Sequence, residues 1–585
     1  MRLIFTVAFV VFNVMLFLPV VKAATPEQIS FQQNEQQLRE QQRMLKSRER
    51  ERLLKALEQS LNRVQVPLIE PTTIIAPPSD VCFEIKRIIF EGAENMLEAE
   101  AKVLKQPWLG TCMSLADIDL LRSNVDKFYI EAGWIMARAY LQPEQNIKSG
   151  TLVFKILEGK LEDIKLNFNG LTERLQIATA FPSMIDESIF IRDIEQGLDQ
   201  MNRLQSNRAS MTMEPVKNKP GRTNILINNI IHNPYRLSLG YDNQGSKTTG
   251  DKRGTLTMDA DNLFSLNDNL FVNITESLES HSERSNSSYS INLSIPYGYW
   301  LYALSTNHSE YKSTNISDTT VFVTTGESDT HTFRASRVVH RAQNSKTTLG
   351  FALNLKETET FLADVRLATS SRKLTVADLR LLHVVRQSGQ VWTAQVNYSR
   401  GLDAFDALLD DPLTGDDIPK AQFEKLSWNL TLSKPFDLGD NHFSYQSVLS
   451  GQFSRDALFG SEQIAIGDLY SVRGFRDSPA SGDSGSYAKN DISWSPQFRN
   501  SYLKTLSFSL GLDAGYVRVR NNNINNTGDS SVTLVGIAIG AQQIIGLPYD
   551  QQLSWSLNVG KGLAAPSYID KSDVVAIFNL NWKFW

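Results

Sequence analysis

The chain has little cysteine, little histidine, and no surplus of charge of either sign. Two cysteines in 585 residues exclude a disulfide-knit scaffold and a cysteine-rich metal fold. The seven histidines are scattered, and none lies in an HExxH or cysteine-paired spacing. We therefore expect neither a metal nor a cofactor. Lys plus Arg is 59 against 64 Asp plus Glu, a net charge of -5, which lacks the basic surplus of a nucleic-acid binder. Beyond the N-terminus no apolar run reaches the roughly 18 residues that a membrane-crossing helix needs. A mean hydropathy of -0.25 does not exclude the membrane, because a barrel turns only alternate residues to lipid.

The start of the chain has the pattern of a secretory leader. Arg2 is the positive end, residues 3–18 are almost wholly apolar, and Val21-Lys22-Ala23 is a small-residue cleavage site. Residues 1–23 are expected to be removed on export. In an exported protein, Cys82 and Cys112 are expected to form a disulfide. Closing a loop of that size adds about 3 kcal/mol on the chain-entropy model.

The mature chain changes texture three times. Residues 24–66 read as one charged helix with a sparse apolar stripe (Leu38, Leu45, Leu53, Leu57, Leu61, Val64). Such a helix is a coiled coil, a solvated spacer or a plug for a polar cavity, and its composition alone favours the spacer. Residues 67–80 are a proline-rich linker. From Cys82 a globular pattern begins. A strand runs through Ile85–Phe90 to Gly92, and Ser114 with Asp117 caps a helix that reaches about Ala132. Strands follow at Ala137–Leu141 and Leu152–Ile156. The order recurs with a strand at Leu161–Phe168, a turn at Asn169-Gly170, helices near Leu171–Ala180 and Ile191–Arg203, and strands at Ser210–Met213 and Thr223–Asn228. Residues 81–158 and 159–232 are thus two tandem α+β modules, an internal repeat.

From residue 233 to 585 the helical period disappears. Tyr289-Ile291-Leu293-Ile295, Leu426-Trp428-Leu430-Leu432 and Leu553-Trp555-Leu557-Val559 alternate with Ser, Asn and Thr. These interleaved residues are too polar for a sandwich core and suit a wet lumen. At about 22 residues per strand and loop, the region provides about sixteen antiparallel strands long enough to cross lipid. Tyr297, Tyr299, Trp300 and Trp494 fall at strand ends, as interfacial girdles do. The last strand alternates Phe578, Leu580, Trp582 and Phe584, and Trp585 falls one residue out of phase.

Two motifs concentrate the chemistry. Leu506, Phe508, Leu510 and Leu512 share one face of a strand, while Ser507, Ser509, Gly511 and Asp513 share the other. In a lipid-embedded barrel the polar face is the lumen, so Asp513 of the motif Gly511-x-Asp513-x-Gly515 points inward. About forty residues earlier, Val472-Arg473-Gly474-Phe475 offers a cation between an apolar residue and a glycine followed by an aromatic anchor, and Arg473 is the candidate partner for Asp513. Gly482-Asp483-Ser484-Gly485 looks like the nucleophile loop of a serine protease. No histidine sits in a supporting motif, and we read the segment as a flexible loop of a protein that is not an enzyme.

Further landmarks are Gly133-Trp134, Leu141-Gln142-Pro143, Leu157-Glu158-Gly159, Asn262-Leu263-Phe264, Pro296-Tyr297-Gly298-Tyr299-Trp300 and Ile466-Gly467-Asp468 leading to Phe475. With the leader, polar helix, linker, two repeats and barrel, the chain resembles the outer-membrane transporters of two-partner secretion. This is the TpsB family of the POTRA-barrel superfamily, which holds the haemolysin, filamentous-haemagglutinin and CdiB-like contact-dependent-inhibition transporters. The departures are Gly467-Asp468 where a double glycine is common, and Phe475 where Tyr often stands.

The resemblance implies a mostly β fold: a 16-stranded antiparallel transmembrane barrel preceded by an N-terminal α-helix and two small POTRA domains. It implies residence in the outer membrane of a Gram-negative bacterium with the POTRA domains in the periplasm. The expected function is export, without ATP, of a large partner exoprotein carrying an N-terminal secretion domain. That cargo would be a cytolysin, an adhesin or a contact-dependent toxin. The resemblance raises the plug reading of residues 24–66, places an inward loop around 463–490, and pairs Arg473 with Asp513 inside the lumen. The aromatic C-terminal strand is similar to the signal read by the barrel assembly machinery, which with outer-membrane lipid is an expected partner. The alternative function is that of a factor that inserts other barrels, relatives that share the VRGF motif and POTRA repeats but generally carry more repeats.

Overall fold

The computed structural model describes residues 81–584 apart from 168–170, 280–283, 318–319, 413–414, 416–417, 477–478, 499–504 and 521–529. The leader, the charged helix of 24–66, the linker of 67–80, the Asn169-Gly170 turn and Trp585 lie outside the described residues.

The first repeat comprises β1 (Cys82–Ile85), β2 (Arg87–Glu91), α1 (Glu98–Lys105), β3 (Thr111–Ser114), α2 (Leu115–Ala132), β4 (Arg138–Leu141) and β5 (Thr151–Leu157). Its three-stranded sheet has the order β2-β5-β4, with β2 parallel and β4 antiparallel to β5. The single strand read through Ile85–Phe90 is two strands. The N–H groups of Lys86 and Arg87 both donate to Gly150 O, turning the chain from β3, the partner of β1, to β5, the partner of β2. Cys82 and Cys112 are joined by a disulfide between β1 and β3, with their Cα atoms 5.3 Å apart.

Helix α2 starts where the sequence places it. Ser114 Oγ accepts from Asp117 N (3.2 Å), and Asp117 Oδ2 accepts from Ser114 N (2.8 Å). It ends at Gly133 with φ 106°, a left-handed conformation that glycine adopts without strain. Helix α1 has no polar side chain at its N-cap, Leu97, so nothing in its sequence announces it. Only Glu100 reaches back, accepting from Leu97 N (2.8 Å).

The second repeat repeats the scheme with β6 (Lys160–Leu166), α3 (Leu171–Ala180), α4 (Ile191–Asn202), β7 (Asn207–Pro215) and β8 (Arg222–Ile231). Its sheet order is β6-β8-β7, again with the first strand parallel to the last and an antiparallel edge. Separate apolar cores fill the two repeats, one around Tyr129 and Phe154 and the other around Ile194, Leu198 and Ile225.

Sixteen antiparallel strands then close into a barrel. They are β9 (Tyr235–Asp242), β10 (Arg253–Asp261), β11 (Asn269–Ser277), β12 (Ser285–Tyr297), β13 (Trp300–Ser317), β14 (Thr320–Arg341) and β15 (Ser345–Leu362). A two-residue β16 (Val365–Arg366) caps β15. The cylinder continues with β17 (Arg372–Gln387), β18 (Gln390–Leu402), β19 (Glu424–Leu438), β20 (Asn441–Ser454), β23 (Ser484–Ser495), β24 (Ser507–Val519), β25 (Ser530–Gly546), β26 (Gln552–Ala564) and β27 (Val574–Lys583). Strand β27 pairs with β9 from Asn579↔Asp242 to Lys583↔Ser238, so no edge is left to be satisfied in lipid. Alternation sets the faces. Leu510 and Leu512 are 54% and 56% exposed on the outer wall, whereas Asp513 is 0% exposed on the inner one.

The second repeat is bolted to the turns at one end of this barrel. Asp199 of α4 meets Arg341 Nη1 at 2.6 Å and Lys346 Nζ at 3.3 Å. Gln200 donates to Gly298 O (2.8 Å), and Tyr299 OH donates to Asp193 (2.5 Å). Asn267 Nδ2 donates to Gln176 O and Thr179 Oγ1, both at 2.8 Å.

Candidate functional site

Between β20 and β23 the chain turns into the barrel over residues 455–483. The sequence reading placed this loop around 463–490. Ser484–Asn490 instead belong to β23, where Ser484 and Gly485 pair with Arg518 and Val517. The Gly/Ser texture of that stretch reads as loop, and the ladder overrides it. A small hairpin of β21 (Ile464–Ile466) and β22 (Ala480–Gly482) forms the loop's stem. Val472 and Phe475 pack beside it with Ile466, Ala480, Val517, Leu534 and Ile569.

Between those two apolar anchors, Arg473 is turned to the wall. Its Nε donates to Asp513 Oδ2 (2.6 Å), its Nη2 to Asp513 Oδ1 (2.8 Å), and its backbone N–H to Asp513 Oδ2 (3.1 Å). Its Nη1 donates to Asp491 Oδ1 (2.6 Å). The planar guanidinium thus takes one carboxylate bidentately and a second at its free corner, a geometry that an ammonium cannot reproduce. Lys489, opposite Asp513 in the ladder, donates to Leu469 O (2.9 Å) and ties down the preceding turn. That turn is built on Asp468, whose Oδ1 accepts from Tyr470 N, Ser471 N and Ser471 Oγ.

The structure therefore brings Arg473 and Asp513 together, and it explains the glycines around them by close approach. A Cβ at Gly511 would stand 1.9 Å from Arg473 Nη2, and one at Gly515 would stand 2.8 Å from Val472 Cγ2. The track continues across β25 and β26. A Cβ at Gly536 would meet Arg473 O at 1.8 Å, and Gly560 and Gly562 lie under Gly474 and Phe475. Gly474 itself has φ 93° and abuts the backbone of Lys561. Sequence reasoning missed Asp491, Lys489, Gly536, Gly560 and Gly562. The glycines had a signal, since Gly536 and Gly540 and then Gly560 and Gly562 recur at even spacing on an otherwise apolar alternation. Past the clasp, Arg476 donates to Asn243 O (3.0 Å), and Tyr470 OH donates to Gln244 (2.6 Å).

In Gly482-Asp483-Ser484-Gly485, Ser484 opens β23 and its Oγ donates to Ser454 O (3.2 Å). Asp483 accepts from Leu458 N (2.8 Å), Gln463 Nε2 (3.1 Å) and Arg520 N (2.8 Å), so it pins the loop's stem.

The family model described as haemolysin secretion/activation protein ShlB/FhaC/HecB matches residues 221–543. The chain belongs to that family. A ShlB-type POTRA domain matches residues 83–159 of this ShlB/FhaC/HecB protein, and a further POTRA domain matches 160–215. It is 32% identical to the outer membrane transporter CdiB of Dickeya dadantii (strain 3937), over 90% of each chain. It is 28% identical to the hemolysin transporter protein ShlB of Serratia marcescens, over 87% of each. The solved structure of CdiB from Escherichia coli superposes with a TM-score of 0.82 at 28% identity, covering 97% of this chain and all of that one. This family member is a transporter of the outer membrane, and its POTRA domains lie in the periplasm.

Proposed function

We propose that the protein is the exporting half of a two-partner secretion pair, carrying a large exoprotein from the periplasm through its own barrel to the cell surface. The carrying observation is the pair of POTRA repeats fixed beneath a barrel whose lumen holds a loop clasped to the wall. Strand β7 is an edge of its sheet, with β8 on one side and no strand on the other among the described residues. Such an edge binds an extended chain through main-chain hydrogen bonds with little demand on side-chain identity, which suits capture of an unfolded secretion domain. Residues 24–66 would serve as the lumen's plug, withdrawn when cargo arrives. Val472, Arg473, Gly474 and Phe475, with Asp513, are the functional loop motif. Outer-membrane lipid and the barrel assembly machinery would be partners in biogenesis, and the cargo would be a cytolysin, an adhesin or a contact-dependent toxin.

The test is co-production with a large exoprotein that carries an N-terminal secretion domain. Its appearance at the surface should depend on this chain, and removing residues 24–66 should raise planar-bilayer conductance. Surface display that persists without the chain would overturn the export reading. A general fall of resident outer-membrane proteins in its absence would mark it instead as a barrel-insertion factor. Unchanged conductance on deletion would return the helix to the role of spacer.

A further inference from the structure

Eleven residues before Arg473, the outer limb of the inward loop carries a second buried charge. Glu462 ends the short turn Gly460–Glu462, and its side chain is 2% exposed. Its Oε1 accepts from Lys356 Nζ of β15 (2.5 Å), and its Oε2 accepts from Lys425 Nζ of β19 (2.7 Å). Its backbone carbonyl accepts from Lys425 Nζ (3.0 Å) and from Gln452 Nε2 of β20 (2.9 Å). On the flank, the Arg372 guanidinium of β17 lies 4.4 Å over the Phe459 ring. Leu458 and Phe459 pack with Leu374, Val376, Ala421 and Phe423. Although burial pushes the Glu462 carboxyl up, Lys356 and Lys425 hold it far below the usual carboxylate range. It stays ionised at any physiological pH, so the contact is a fixed clamp.

We propose that Glu462 is a positioning residue for the inward loop, fixing the outer limb against β15, β19 and β20. Arg473 bonds to β23 and β24, on the far side of the loop's stem. The two residues therefore hold the loop as a strap fastened at both ends, with Asp483 pinning its stem at Leu458 and Gln463 and the Phe459 cluster packing the outer limb, and loss of the Glu462 charge loosens that limb. Each face of the Glu462 carboxylate takes one lysine. Once it is neutralised, the two ammonium groups repel each other and draw water, and the limb, still held by its backbone carbonyl on Lys425 and Gln452, opens more often. The outer vestibule then widens while the Arg473 clasp remains. This role rests on the export reading, yet its test is independent of cargo.

The experiment uses the full chain in outer membranes, with Ser461→Cys as reporter. The only native cysteines are Cys82 and Cys112, bonded to each other, so they take no label. Adding Glu462→Gln should speed labelling by a membrane-impermeant maleimide at least about five-fold and raise conductance, while heat-modifiability of the barrel stays unchanged. The charge-swapped triple variant Glu462→Lys, Lys356→Glu, Lys425→Glu should return labelling towards the parental rate. If Glu462→Gln fails to insert, Lys356→Gln with Lys425→Gln carries the test and should show the same acceleration. Parental labelling and conductance in the neutralised variant, or fast labelling in the charge-swapped one, would overturn the proposal. Loss of export alone, with the loop still protected, would overturn it too.

Discussion

Arg473 holds its charge between Asp513 and Asp491, both on the lumen wall, and Lys489 lies across the ladder from Asp513. Removing one partner of a buried pair costs about 3–5 kcal/mol, and less where water reaches it. Arg473→Ala leaves two carboxylates facing Lys489 alone, so the loop should lose its inner fastening. We expect surface exoprotein to fall at least about ten-fold while the barrel still inserts and migrates as heat-modifiable. Arg473→Lys should restore little, because one ammonium cannot serve both carboxylates. Export at the parental level in Arg473→Ala would remove the clasp from the mechanism. The inward face of Asp513 was legible because its strand alternates without a break, and its pairing with Arg473 was implied by the resemblance to two-partner secretion transporters. Asp491 was not legible. Its strand reads Ser-Gly-Ser-Tyr-Ala-Lys-Asn-Asp, with small or polar residues on both faces, and no apolar row distinguishes lipid from lumen before Ile492 and Trp494.

Elements with a local chemical signature were read closely, and those built by tertiary contact were not. Helix α2 was found through Ser114, Asp117 and Gly133, three residues whose side chains or backbone freedom belong to helix ends. Helix α1 escaped because its N-cap is a leucine and it buries no residue fully. The division between β1 and β2 escaped because it depends on Gly150, more than sixty residues away. The disulfide supports that region directly, tying β1 to β3 at the edge of the first repeat, next to the linker that leads to residues 24–66. Cys82→Ser with Cys112→Ser should therefore destabilise the first repeat by about 3 kcal/mol. In the full-length protein, limited proteolysis would read this as faster cleavage within residues 82–114, with the barrel unaffected. Equal cleavage rates in the oxidised parent and the double variant would mean that the sheet and the Tyr129–Phe154 core carry the repeat unaided.

At the scale of the whole molecule, sixteen strands and two repeats could be counted from alternation and recurrence. How they sit together could not, because the docking residues are single polar side chains without period. Asp199, Gln200 and Asn267 look like ordinary surface residues in sequence, yet they meet Arg341, Gly298 and Thr179 across the junction. This junction fixes the second repeat, and edge strand β7 with it, against the barrel's turns, so it bears on how captured chain is passed onward. Asp199 is its electrostatic centre, only 10% exposed and shared by Arg341 and Lys346. In Asp199→Asn, Arg341 keeps Glu195 at 3.4 Å, so the loss should be about 2 kcal/mol, below the full cost of a stranded buried charge. Asp199→Lys adds repulsion against both cations and should separate the repeat from the turns. Paired spin labels on α4 and on the exposed turn at 342–344 should then report a broadened distance distribution, with Asp199→Lys broader than Asp199→Asn. Exoprotein export should decline in the same order while conductance of the isolated pore stays at the parental value. A narrow, unshifted distribution in Asp199→Lys would show that the amide and hydroxyl bonds of Gln200, Tyr299 and Asn267 hold the repeat without the charge.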